Sequence, residues 1–291
     1  MSKNKKNELL SEAFPPNKNG YRPIIYASSS SSHNLLEGIK INPEEIIYKP
    51  LSKIDMEEVK NLHKEWFPIN YSDNFFKQIF NKNNYWYFTI GAFYNIINKE
   101  KNENKEIILG LALCEWLYIK DYFIKHTSKE AIEEICKNIS INEEIQSYIK
   151  WENYRTAYIM TIGVLDECRK MNIGTNILNR IINIALTDNL CVGVYLDVVN
   201  YNKPAIKFYE KNNFKKVSTI KNYYNINNEK YDSIVFLKIF TRKEKDEFRS
   251  KNRNLLETIG YYFIVTPFNF VIKIILFFLL FQCFRNKIKI E

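Results

Sequence analysis

A run of apolar, β-prone residues that turns directly into an amphipathic helix limits this chain more than any other feature. Tyr158-Ile-Met-Thr-Ile-Gly-Val-Leu165 leads into Asp-Glu-Cys-Arg-Lys-Met-Asn-Ile-Gly174, then Thr-Asn-Ile-Leu-Asn-Arg-Ile-Ile-Asn-Ile-Ala-Leu186. Ile177, Leu178, Ile181, Ile182 and Ala185 recur at helical spacing, so a helix opening at Gly174 has one face to bury. A strand feeding a helix in this way aims the first-turn N–H groups at the connecting loop, where they and the helix dipole favour an anion. Arg169 and Lys170 add positive charge there. The pattern fits equally an ordinary strand-turn-helix connection with solvated basic residues.

The segments on either side extend this unit. Residues 1–44, with the serine run Ser28 to Ser32 and the pair Pro15-Pro16, have little apolar periodicity and are expected to be disordered. Ile46-Ile47-Tyr48 predicts a short strand. Ser52 or Asp55 then caps a helix whose stripe is Ile54, Val59, Leu62 and Trp66. Pro68 disfavours a helical Phe67 and stops it. Trp66 to Tyr71 is therefore an aromatic loop, fit to plug the core or to wall a site. A second helix carries Phe75, Phe76, Ile79 and Phe80.

Tyr85–Tyr94 and Ile107–Ile119 read as strands, with Asn95–Glu106 expected as a long mobile loop between them. Lys120–Arg155 reads as an insertion without assigned chemistry. Val192–Val199 is a further strand, followed by a turn and a helix, Ala205–Lys211, with Pro204 in its first turn. Phe214–Lys221 and Tyr231–Phe240 predict two antiparallel strands, with Tyr223 and Tyr224 on the loop between them.

Five scattered cysteines and three separated histidines form neither a disulfide framework nor a metal site. No secretory leader is expected. The net charge of +9 is uneven, with ten Lys or Arg against five Asp or Glu from Thr241 onward. That charge flanks Ile259–Phe284, 26 residues with a single charged side chain, Lys273, and one proline, Pro267. Such a segment is long enough to span a bilayer, or to lie in its interface as two kinked helices. Basic flanks on both sides suit an anionic membrane better than nucleic acid, which is not an expected partner, and leave topology open. The expected organisation is an extension over 1–44, a domain over 45–241 with an insertion at about 120–155, a basic linker over 242–258, the apolar segment 259–284 and a basic tail over 285–291.

The element order and several motifs together carry a resemblance. Arg169-Lys-Met-Asn172-Ile-Gly174 stands where the GNAT acyltransferases have Arg/Gln-x-x-Gly-x-Gly/Ala. It occurs in order with Phe67-Pro-Ile-x-Tyr71, Tyr158-Ile-Met-Thr-Ile-Gly163, Tyr195-Leu-Asp-Val, Asn202-x-x-Ala205-Ile-x-Phe-Tyr209 and Tyr223-Tyr224. Over roughly Ile46 to Phe240 the chain resembles N-terminal acetyltransferases of the NatE and NatF type. The apolar tail resembles NatF, an enzyme held on the cytosolic face of the Golgi. The resemblance implies an α/β GNAT fold with a mixed, mostly antiparallel seven-stranded sheet flanked by helices, plus a C-terminal membrane-associated segment. It implies acetyl-CoA as co-substrate, with protein N-termini and a lipid membrane as partners. A ribosome contact is left open.

The resemblance also implies roles. Ile162, Gly163 and Val164 match the strand that pairs with the pantetheine arm. Arg169, Lys170, Met171, Asn172, Ile173, Gly174 and Thr175 match the pyrophosphate loop. Asn202 and Tyr209 match cofactor contacts near the thioester, with Tyr209 placed to protonate the thiolate. Phe67, Pro68, Ile69, Tyr71, Met160, Tyr223 and Tyr224 match the peptide wall. Tyr158 matches one catalytic residue, and Asp197 stands where the family has the other, a histidine. Asn172 replaces a family glycine, and asparagine is well tolerated in the left-handed region. Aspartate, with an ordinary pKa of about 3.9, is a poor proton acceptor at pH 7. The activities to weigh are thus N-terminal acetylation of Met-retaining substrates, a catalytically weakened membrane-tethered binding module, and acetylation of protein lysines, including those of histones.

Overall fold

The computed structural model describes residues 39–98, 103–118, 155–188 and 190–252. Most of the expected N-terminal extension, nearly all of the insertion, the end of the basic linker, the apolar segment 259–284 and the tail lie outside them. Among the described residues no helix is long and apolar enough to cross a membrane.

Two compact units divide the chain. The first contains β1 (Ile47–Lys49), α1 (Met56–Trp66), α2 (Asp73–Ile79), β2 (Tyr87–Asn98), β3 (Glu103–Tyr118) and β4 (Arg155–Val164). It continues with α3 (Ile173–Thr187, as far as Ala185), β5 (Cys191–Val199), α4 (Lys203–Lys211), β6 (Lys215–Ile226) and β7 (Glu229–Ile239). The second unit contains α5 (Arg242–Lys251), whose start is fixed by reciprocal hydrogen bonds between Thr241 and Glu244.

The sheet of the first unit has seven strands in the order β1-β2-β3-β4-β5-β7-β6. Every pairing is antiparallel except β4 with β5, which run parallel. A parallel pair needs a crossover, and α3 supplies it. From Ile107 to Glu115 every residue of β3 is buried, so helices cover both faces of the sheet centre. A Cβ on Gly163 would strike the Trp66 ring of α1, whereas one on Gly110 would touch Ile173 and Ile177 of α3. Leu111 and Gly163 therefore face α1, and Gly110 faces α3.

Three expectations change. Asn95–Glu106 is not a long loop: β2 and β3 stay paired as far as Asn98 opposite Glu103, because ladder hydrogen bonds satisfy the backbone whatever the side-chain polarity. Tyr223 and Tyr224 lie within β6, not on a loop. Their strand bulges between Ile220 and Tyr224, where Asp232 accepts from the Asn222 N–H (3.0 Å) and from Lys221 Nζ (2.8 Å). Ile54 is 93% exposed, since it sits on a 3₁₀ turn before α1 and outside the helical stripe.

α1 does stop at Trp66, with Phe67 extended (φ −117°, ψ 137°) ahead of Pro68. Its buried face holds Val59, Leu62 and also His63, which is 2% exposed. His63 Nδ1 lies 2.8 Å from the Val59 carbonyl, which fixes the proton on that nitrogen. Nε2 then accepts from the Thr161 hydroxyl of β4 at 3.0 Å. The ring packs against Phe67, Tyr71 and Phe76. Burial lowers the His63 pKa to about 4.

This ring has a stability signature. The folded pKa lies below the ordinary value, so its contribution is complete above about pH 6.5 and is lost as pH falls towards 4. The drop amounts to roughly 3 kcal/mol. Urea unfolding of the wild type across that window is expected to lose this much more stability than the His63→Gln variant does.

Candidate active site

The parallel pair β4–β5 is short. Ladder pairing runs from Arg155 opposite Cys191 to Ile159 opposite Leu196 and then ends, although β4 continues to Val164 and β5 to Val199. Beyond that point the strands part, and among the described residues the edge of β4 that faced β5 has no strand partner. On its other side β4 remains paired with β3, where Leu113 opposes Thr161 and Cys114 opposes Ile159. Met160 is therefore an extra residue, a bulge. Alternation alone would send Tyr158 and Thr161 to opposite faces; the bulge brings both to the α1 face.

A cleft of about 620 Å³, counting its solvent-open space, fills the gap between the strands. Phe67, Pro68 and Ile69 from the loop after α1 line it, with Met160 and Ile162 of β4, Asp197 and Val199 of β5, and Tyr224 and Ile226 of β6. Asn202 and Tyr209 reach it from the start and body of α4. Tyr71 lies behind the wall, packed on His63, Phe67 and Phe75. Tyr223 packs edge-on against Tyr224 and does not itself line the cleft.

The polar groups divide between the two faces. On the α1 face the Tyr158 hydroxyl donates to Asp197 Oδ2 at 3.1 Å. The Ser233 hydroxyl of β7 donates to Asp197 Oδ1 at 2.9 Å. Tyr158 is 1% exposed, stacks on Tyr195 at 4.7 Å and meets the cleft through Asp197. On the opposite face Tyr209 packs with Phe214 and Phe236. Burial raises the Tyr209 pKa, so its phenol stays protonated. A reacting bond lying in the gap thus meets a carboxylate on one side and a phenolic donor on the other. Asn202 Oδ1 caps α4 by accepting from the Ala205 N–H at 3.2 Å, which fixes this side chain where it lines the cleft.

At the far end of β4 the loop enters α3. Lys170 (φ 67°) and Asn172 (φ 60°) both adopt the left-handed conformation. The Asn172 carbonyl accepts from the Asn176 N–H, so the helix begins there and the N–H groups of Ile173, Gly174 and Thr175 have no acceptor within it. Alternating left-handed residues beside a helix N-terminus turn backbone N–H groups inward, as an anion requires. The Arg169 guanidinium meets Asp166 at 2.5 Å at the rim. A Cβ on Gly174 would make only ordinary contacts, at 3.6 Å and beyond, with Phe208 and Val164. Protein packing therefore does not demand glycine there, and the bare backbone leaves room for a ligand to approach closely. The unpaired β4 edge and this cradle suit a long ligand with amide groups along its arm and phosphates at one end. The Val164 to Thr175 stretch lies outside the cleft proper, so the two parts match different sections of such a ligand.

Residues 56–214 match the acetyltransferase (GNAT) family, and the chain belongs to it. It is accordingly an acetyl-CoA-dependent acetyltransferase, with acetyl-CoA as co-substrate. Among curated relatives it is 25% identical over 200 residues to histone acetyltransferase MCC1 of Arabidopsis thaliana, covering 69% of this chain and 72% of the relative. It is 27% identical over 170 residues to N-alpha-acetyltransferase 50 of Danio rerio, covering 58% and 74% respectively. Among solved structures it resembles Arabidopsis thaliana NAA60 in complex with acetyl-CoA. There the TM-score is 0.53 at 25% identity, over 67% of this chain and 98% of that one.

Three polar residues of this neighbourhood escape a sequence reading. His63 sits on the apolar stripe of α1, where a lone histidine signals nothing specific. Thr161 is hidden inside a β-branched run. Ser233 leaves a faint sign, a small polar residue at an inward position of the alternating run Tyr231 to Leu237.

The left-handed Asn172 carries a direct test by titration calorimetry with CoA. Asn172→Gly is expected to bind at least as tightly as the wild type. Asn172→Ala, which meets a left-handed penalty of about 1 kcal/mol, is expected to bind roughly fivefold more weakly.

Proposed function

We propose that this acetyltransferase modifies the α-amino group of protein N-termini, preferring those that retain Met followed by an apolar or similar residue. The observation that carries the reading is the Asp197 carboxylate, held by Tyr158 at the bottom of a cleft with an aromatic and aliphatic wall. An apolar first side chain fits against Phe67, Pro68, Ile69 and Tyr224, and the positively charged amine is drawn to Asp197. The relationship to N-alpha-acetyltransferase 50 and to NAA60 supports the same substrate class.

Acetyl-CoA supplies an acetyl group already activated as a thioester. The chain contributes the rest. Asn172, Ile173, Gly174 and Thr175 offer backbone N–H groups to the phosphates, and Arg169 and Lys170 add charge. Met171 spaces the two left-handed residues. Ile162, Gly163 and Val164 offer backbone groups to the amide arm, and backbone N–H near Gly163 stabilises charge on the carbonyl oxygen. Asp197 orients the ammonium and takes its proton through water, while Tyr158 steadies the carboxylate. Tyr209 gives a proton to the departing sulfur.

A carboxylate suffices because the task is small. An α-amino group with a pKa near 8 is about a tenth neutral at pH 7, a deficit of about 1.4 kcal/mol, whereas a lysine near 10.4 faces roughly 4.6 kcal/mol. A lysine-directed activity is the second reading, favoured by the similarity to histone acetyltransferase MCC1.

Full-length protein is to be assayed with acetyl-CoA and Met-Leu or Met-Lys peptides, each with a free or a blocked α-amine. Acetylation is expected on the free α-amine alone, with kcat/KM falling about 10²-fold in Tyr158→Phe and Asp197→Asn. Equal labelling of the blocked peptides at lysine establishes the second reading. No turnover above the Tyr158→Phe control, with a large gain in Asp197→His, identifies a decayed site that acts as a tethered binding module.

The same reading places the activity at an endomembrane such as the Golgi, with the catalytic domain facing the cytosol. Its support is the apolar segment 259–284 between basic flanks. The full chain is expected to float with anionic liposomes and a chain ending at residue 258 to remain in the soluble fraction. Equal flotation of the two would remove the segment from that role.

A further inference from the structure

We propose that Ser233 is a positioning residue of the transfer site, which aims the Asp197 carboxylate and couples it to the peptide wall through Tyr224. The inference rests on the reading of Asp197 as the group that receives the amine proton. Ser233 is fully buried, at 0% exposure, in the middle of β7 opposite Val199. A buried hydroxyl there costs free energy unless it is hydrogen-bonded, and an apolar residue would serve packing better. Its bond to Asp197 Oδ1 is matched by the Tyr158 bond to Oδ2. Donors from β7 and β4, the two neighbours of β5, thus grip both oxygens and set the plane of the carboxylate.

The Ser233 hydroxyl also meets Tyr224, which lines the cleft. Burial, and next the negative Asp197, keep the Tyr224 phenol protonated. Because the single Ser233 proton goes to Asp197 Oδ1, the serine oxygen accepts from that phenol. The chain Tyr224 to Ser233 to Asp197 runs in one direction, and such chains strengthen one another. A peptide side chain that seats correctly on Tyr224 preserves it, and one that displaces Tyr224 loosens the carboxylate. Selection among N-termini is then expressed in kcat as well as in KM.

Other groups also face Asp197. They are Tyr158 on β4, Tyr195 on its own strand and Tyr224 on β6, with Tyr223 and the buried Glu115 of β3 beyond Tyr195. The aromatic loop after α1 adds Tyr71 near Tyr224. Loss of the Ser233 donor removes support from the ionised carboxylate, whose protonation then begins at higher pH.

Full-length Ser233→Ala and Ser233→Thr are to be compared with the wild type in two measurements. One is the pH profile of kcat and KM on a Met-Leu peptide. The other is a ¹³C-carboxyl NMR titration of aspartate-labelled protein, with the Asp197 signal assigned from Asp197→Asn. Ser233→Ala is expected to lower kcat about tenfold, leave the KM for acetyl-CoA unchanged, and move both the acidic limb and the Asp197 titration up by about half a pH unit to one unit. Ser233→Thr, which keeps the hydroxyl, is expected to restore most of the titration. An Asp197 titration identical in wild type and Ser233→Ala overturns the proposal, whatever happens to thermal stability. If the wild type does not turn over the peptide, the N-terminal reading fails, and the titration alone still decides the role of Ser233.

Discussion

Everything functional in this fold depends on two parallel strands that stop pairing too soon. β4 and β5 share a ladder only as far as Ile159 and Leu196. Past it their backbone groups must find other partners, because unpaired polar backbone is costly away from water. One side of each strand is still satisfied, β4 by β3 and β5 by β7. The remaining edge of β4 is available to a ligand that carries amides of its own. The opening is therefore a binding surface made of main chain, which explains why side-chain chemistry is sparse along it.

The Met160 bulge and the His63 brace maintain that opening from the α1 side. The bulge shifts the alternation of β4 so that Tyr158 and Thr161 share a face. The histidine then ties Thr161 to α1 and to the rings of Phe67 and Tyr71. The wall of the cleft and the strand that floors it are thus joined by one buried, neutral imidazole. A charged side chain could not occupy that place without a large desolvation penalty.

The polar network on the same face crosses four strands, from Tyr158 through Asp197 and Ser233 to Tyr224. Its members are spread from position 158 to 233 in the chain and meet because the sheet order inserts β7 between β5 and β6. With Tyr209 on the other face, the cleft carries a carboxylate on one side and a protonated phenol on the other. That separation follows from strand alternation, since Asp197 and Leu196 are adjacent and point opposite ways.

Local patterns in the chain specified the strand-loop-helix unit, the stop of α1 before Pro68, the helix α4 after its turn, and the basic loop whose Asn172 tolerates the left-handed conformation. Each of these depends on neighbours within a few residues, on backbone sterics, capping and amphipathic spacing. Asn95–Glu106 and Tyr223-Tyr224 read as loops because the polar composition around them suggests exposure, yet ladder pairing with the next strand overrode composition in both. Where β4 and β5 part, that Met160 is a bulge, that His63 bonds Thr161, and that Ser233 grips Asp197 were decided only in the tertiary structure. Strand register joins residues far apart in the chain, and a slip of one residue reverses every side chain, so no local pattern carries that information.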